Sequence, residues 1–98
     1  MERVPDRHRE LYSKKLTEVY GASTYKFHIF AIGKRGIVGL AWRKERVELV
    51  RMILSPNEDE IFLSIDAKFD PEKIHSEFDR MCLLSKNLYE TDYKRLIN

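Results

Sequence analysis

The stretch from residue 33 to residue 54, GKRGIVGLAWRKERVELVRMIL, constrains the fold of this chain more than any other. Gly33 and Gly36 bracket a basic pair, Lys34-Arg35, and glycines supply the positive φ that a tight hairpin reversal demands. The segment before it, YKFHIFAI (25 to 32), is rich in aromatic and β-branched residues and too short for a stable helix, so it reads as a strand. Tyr25, Phe27 and Ile29 fall on one face of it and Phe30 and Ile32 on the other, the pattern of a central strand covered on both sides. IVGLAW is the return strand, where Gly39 leaves room for another backbone or a large side chain. From Arg43 the period turns helical, with Val47, Val50 and Leu54 on one stripe and Leu49 and Ile53 beside it. Ser55-Pro56-Asn57 ends that helix, since proline cannot continue it.

Helices flank this centre. Asp6 is placed to cap a first helix that Gly21 stops, with Tyr12, Leu16, Val19 and Tyr20 on one face and Arg7, Arg9, Lys14 and Lys15 on the other. IFLSID, beginning at Ile61, alternates as a strand with Ile61, Leu63 and Ile65 on its apolar face. Asp70-Pro71 starts a last helix with the stripe Ile74, Phe78, Met81, Leu84 and Leu88, and ETDYKRLIN adds a turn or frays. The expected fold is therefore α+β, a two-layer sandwich of order α-β-β-α-β-α. Its small mixed sheet is a hairpin plus a strand parallel to the second, covered by helices through a right-handed crossover. Residues 1–98 hold no repeat, linker or low-complexity stretch and read as a single domain.

The hydrophobic fraction of 43% is that of a folded protein, and no apolar run approaches the roughly 18 residues of a membrane span. MERVPDRHRE is too charged for a secretory signal, so a soluble, cytoplasmic protein with no membrane contact is expected. The net charge of +2 hides an asymmetry: residues 1–51 carry 12 Lys or Arg against 6 Asp or Glu, and residues 52–98 carry 6 against 10. A basic half and an acidic half suit a nucleic-acid face and a protein-binding face.

The residues offer no convincing catalytic constellation. His8, His28 and His75 lie on three separate elements, and with the single Cys82 they match no metal-ligand spacing, so neither metal nor cofactor is expected. Ser64 and Cys82 lack a suggested base, and Glu45 and Glu48 serve the expected 43–54 helix better than a metal shared with Asp66 and Asp70. Gly33 to Gly36 joins antiparallel strands and has the wrong glycine spacing for a phosphate-cradling P-loop. What remains is cationic. Lys34 and Arg35 sit at one end of the second strand and Arg43, Lys44 and Arg46 at the other, forming two separate contact points for RNA phosphate. Lys14, Lys15 and Arg51 are further candidates of second rank.

A helix ending LTEVYG, a strand, then GIVGLAWRKERVELVRMIL and EIFLSIDAKF resembles the small α/β protein subunit of archaeal and eukaryotic ribonuclease P, called protein component 2 in archaea. Gly36, Ile37, Val38, Leu40, Arg43, Leu49, Val50, Arg51 and Leu54 carry the resemblance, which spans about residues 12 to 85. It implies a non-catalytic, RNA-binding subunit of the ribonucleoprotein that removes the 5′ leader of precursor tRNA. Its partners would be ribonuclease P RNA, precursor tRNA, a larger barrel-shaped protein subunit and a second copy of itself as a homodimer. The competing expectation is a small α+β protein-interaction module that pairs through an exposed sheet edge, with no nucleic acid.

Overall fold

A computed structural model describes residues 4–21, 26–43 and 45–98. Helix α1 (Asp6–Tyr20) precedes four strands, β1 (Lys26–Gly33), β2 (Gly36–Arg43), β3 (Arg46–Leu54) and β4 (Ile61–Phe69). A 3-10 turn (Pro71–Lys73), α2 (Ile74–Leu88), a π-helical turn (Tyr89–Tyr93) and α3 (Lys94–Ile97) complete the chain. The sheet runs β1-β2-β3-β4 and every neighbouring pair is antiparallel.

This corrects the expected α-β-β-α-β-α order with a parallel third strand. Residues 46–54 are a strand, and β2, β3 and β4 follow one another as a meander with no crossover. The physical reason is burial on both faces. Val50, Met52 and Leu54 pack with Tyr12, Leu16 and Tyr20 of α1, whereas Leu49 packs with Tyr93 and Ile97, and Val47 with Ile74 and Met81. Helices thus cover both sides of the sheet, three layers where two were expected. A strand apolar on both faces has no period of two, and its apolar residues also fit a helical stripe. The β-branched Val47, Val50 and Ile53 favour the extended form that the pairing with β2 and β4 provides.

Two charged residues interrupt β3, one on each face, and each is neutralised where it lies. Glu48, only 1% exposed, faces α1 with Arg46 at 2.8 Å and Lys68 at 4.0 Å. It also hydrogen-bonds the Tyr20 side chain, so burial and the carboxylate together push the Tyr20 hydroxyl pKa well up. On the other face Arg51 donates to Ser64 Oγ (3.1 Å), lies 3.7 Å from Asp66 and stacks over the Tyr93 ring at 4.6 Å. Tyr93 closes that group with a 2.5 Å hydrogen bond to Asp66 Oδ2. Neither charge faces solvent as a helix surface would have it.

β1 is an edge strand, not the central one its composition suggests. A bulge between Ile29 and Ala31 resets its alternation and brings Ile32 to the α1 side with Phe27 and Ile29. Tyr25, assigned to this strand from sequence, lies outside the described residues. Asp6 does not cap α1 with its side chain: Pro5 holds the cap position, and Asp6 pairs with Arg9 at 3.3 Å.

The hairpin glycines serve a different purpose from the one expected. Among the described residues the only glycine with positive φ is Gly21, at 87°. Gly33 and Gly36 instead let α3 approach: a Cβ at Gly33 would collide with the Ile97 carbonyl, and one at Gly36 would lie 2.6 Å from the Ile97 side chain. At Gly39 a Cβ would meet Phe27 Cζ at 2.5 Å, so the large side chain expected to come close there is Phe27.

Among the described residues no helix is long and apolar enough to cross a membrane.

Candidate functional site

The β3–β4 turn sets up the site. Ser55 Oγ accepts the N–H groups of Asp59 (3.3 Å) and Glu60 (3.2 Å), and the Glu60 carbonyl accepts the Ser55 N–H at 2.9 Å. The reversal puts Glu58 in the left-handed region at φ 58°, a conformation few non-glycine residues adopt. Held there, its carboxylate reaches the first turn of α1, 3.8 Å from Arg7 Nη2 and 3.6 Å from His8 Nε2.

His8 extends the buried row Tyr12, Leu16, Tyr20 one turn toward the start of α1 and is 3% exposed. Both ring nitrogens are shut off from solvent with no hydrogen-bond partner among the described residues. A buried polar group without partners costs about 1–3 kcal/mol, which only a compensating interaction offsets.

Opposite stands the β1–β2 turn. Arg35 is anchored twice: its backbone N–H donates to the Ile97 carbonyl (2.6 Å) and its guanidinium to the Ser55 carbonyl (3.2 Å). The same guanidinium lies near enough to Tyr12 to oppose the effect of burial, which still pushes that hydroxyl up to about 12. Lys34, beside it at the tip, is exposed and makes no ion pair among the described residues.

Between turn and helix lies a cleft of about 610 Å³, lined by Pro5, Arg7 and His8 on one side, Ile32 to Arg35 on the other, and Glu58 and Asn98. Three cationic side chains, those of Arg7, Lys34 and Arg35, face a single carboxylate side chain. The arrangement attracts an anion, and two guanidinium forks with a flexible ammonium suit the oxygens of a phosphate.

The remaining basic candidates do not gather here. Arg43 is half-buried at the far end of β2, and Lys44 lies outside the described residues. Arg46 is engaged by Glu48 and by the Tyr20 ring at 5.1 Å, and Arg51 by Asp66 and Tyr93, so both are structural. Lys15 pairs with Glu18 at 3.2 Å, and Lys14 shares its surface with Glu18, Asp59 and Glu60. Sequence reading missed Arg7, His8 and Glu58. The signal for His8 was its place four residues before Tyr12 in the buried row, whereas Glu58 reaches the site only through the turn conformation.

Among the described residues no group of three or more His, Cys, Asp or Glu side chains converges as a metal site. Comparison of the chain with models of known families, with curated proteins and with solved structures returns no match.

Proposed function

We propose that this chain is an RNA-binding protein that grips backbone phosphate in the cleft between the β1–β2 turn and the start of α1. The observation that carries this reading is the convergence of Arg7, from one element, with the Lys34-Arg35 pair of another around one solvent-open cavity. Lys34 supplies an exposed ammonium, Arg35 a guanidinium held by the Ser55 carbonyl, and Arg7 an exposed guanidinium 3.8 Å from Glu58. The resemblance to the ribonuclease P subunit spans about residues 12 to 85, and within it residues 46–54, expected as a helix, are β3. The reading kept from that resemblance is therefore the binding of RNA. Recovery of ribonuclease P RNA with a tagged copy of the chain from its native cell would restore the narrower assignment. The direct test is affinity for single-stranded RNA over a salt series: log affinity falls linearly with log salt, and Lys34→Ala and Arg7→Ala each flatten the slope by about one phosphate contact. RNA affinity that is immeasurable at low salt sinks the proposal.

One observation favours the second reading, a protein-interaction module. The edge strand β4 exposes Phe62 by 54%, with Ile65 beside it on the other face. Protein partners that compete for this edge while RNA fails to bind would establish that reading instead.

A further inference from the structure

A second cleft opens at the other end of β1. It encloses about 430 Å³ between Lys26, Phe27 and His28 of β1, Trp42 at the end of β2 and Phe78 of α2. Its walls are mostly aromatic and set in place. Phe27 is pinned by its contact with Gly39, and His28 meets the edge of Phe30 at 4.9 Å. Phe78 belongs to the apolar stripe of α2 yet is 38% exposed, a large ring left at the mouth of a cavity. The Trp42 indole N–H is buried with no hydrogen-bond partner among the described residues. Lys26 is exposed and adds the one positive charge of the lining.

Rings of this kind beside a cation are what an unstacked base requires. Stacking on aromatic faces is worth about 1–3 kcal/mol per base, and a nearby ammonium meets the phosphate that follows. The two clefts are linked by one strand: Ile32 and Gly33 line the cationic one, and Lys26, Phe27 and His28 the aromatic one. Lys26 and Ile32 are six residue steps apart along the strand, about 20 Å at the usual rise per residue. A short oligonucleotide spans that distance.

We infer that the Trp42 cleft takes a nucleobase of single-stranded RNA, with Trp42 and Phe78 as its stacking surfaces and Lys26 as a phosphate contact, while the same strand is held at Lys34 and Arg35. The inference rests on the RNA-binding reading but is separable from it by experiment. Trp42 is the only tryptophan of the chain, so its fluorescence reports on this cleft alone. Titration with a single-stranded octanucleotide quenches the emission, and titration with uridine, which carries no phosphate, quenches it at far higher concentration. Phe78→Ala, on a ring that belongs to none of the buried clusters and whose folding a thermal melt checks, weakens octanucleotide binding about tenfold, and Lys26→Ala weakens it several-fold and more so at low salt. Oligonucleotide binding that depends on Lys34 but leaves Trp42 emission and the Phe78→Ala affinity unchanged overturns the base pocket and spares the phosphate site. Quenching by uridine in a protein whose RNA affinity ignores Lys34 and Arg7 does the reverse. Quenching by a captured protein in place of RNA overturns both.

Discussion

Arg46 Nη2 lies 2.8 Å from Oε1 of Glu48, a carboxylate that β3 buries on the α1 face. The guanidinium also covers the Tyr20 ring, so one half-buried arginine both neutralises a buried charge and packs on the last side chain of α1. Removing Arg46 leaves the buried carboxylate only the Lys68 ammonium at 4.0 Å and the Tyr20 side chain, whereas removing both charges costs much less. Arg46→Ala is therefore expected to lower the unfolding free energy by about 2–4 kcal/mol. The double variant Arg46→Met with Glu48→Gln regains more than half. Urea denaturation measures both, and a loss below about 0.5 kcal/mol for Arg46→Ala, the range of an ordinary surface pair, counts against the buried pair.

The hydroxyls of Tyr12 and Tyr93 are both held up to about 12, chiefly by burial, with the Asp66 hydrogen bond adding to it for Tyr93. An unfolded tyrosine ionises near pH 10, so between about pH 10 and pH 12 the unfolded chain sheds protons that the folded chain keeps. Stability is thus fully present below pH 10 and falls as pH rises through that window. Denaturation midpoints from pH 8 to pH 12 should follow this course, and Tyr93→Phe should flatten it. Tyrosinate absorbance growing in at pH 10 in the folded protein to the full count of tyrosines is the contrary result.

Gly39→Ala is expected to cost about 1–3 kcal/mol, because its Cβ meets the Phe27 ring at 2.5 Å and the His28 carbonyl oxygen at 2.6 Å, and the backbone atom has nowhere to go. Gly21→Ala meets open space but must hold φ 87° and ψ 167°, a region essentially confined to glycine, at about 1–3 kcal/mol. Chemical denaturation measures both variants, and a loss below about 0.5 kcal/mol for Gly39→Ala would discount the overpacking there.

Among the basic residues the ordering of effects on RNA affinity separates site from scaffold. If the cationic cleft holds RNA as proposed, Lys34→Ala and Arg7→Ala are expected to weaken binding with no change in melting temperature beyond about a degree or two. Lys15→Ala, whose side chain is paired with Glu18, leaves affinity within a factor of two. Arg51→Ala does the opposite of Lys34→Ala: it lowers stability through the loss of the Asp66–Tyr93 group. Filter binding paired with thermal melts distinguishes the three patterns.

Much of this architecture is legible from residue patterns. The row Tyr12, Leu16, Tyr20 announces α1, the run through Ile32 and the return through Trp42 announce a hairpin, and Asp70-Pro71 marks the 3-10 turn that leads into α2, where Asp70 Oδ1 accepts the Glu72 N–H at 3.0 Å. β3 is illegible because its neighbours, not its own sequence, decide it. Val47 and Leu49 turn one way, Val50 and Met52 the other, and nothing in a single chain reveals that helices await them on both sides. Glu48 and Arg51, three residues apart, mimic a helix surface pair until their partners Arg46, Tyr20, Asp66 and Tyr93 are in place. For the cationic cleft, Lys34 and Arg35 stand out as an adjacent pair, but Arg7 joins them only through a turn that presents Glu58.

The hydrogen bond from the Arg35 N–H to the Ile97 carbonyl also bears on the order of folding. The meander is built from neighbours close in sequence, whereas this contact ties positions 35 and 97 and must wait for a loop of that length to close. The sheet is free to assemble early, and the cationic cleft matures only when the final turn of the chain docks. Amides at the hairpin tip should accordingly exchange with deuterium sooner than those in the middle of β3, marking the cationic cleft as the last part of the molecule to form and the first to open.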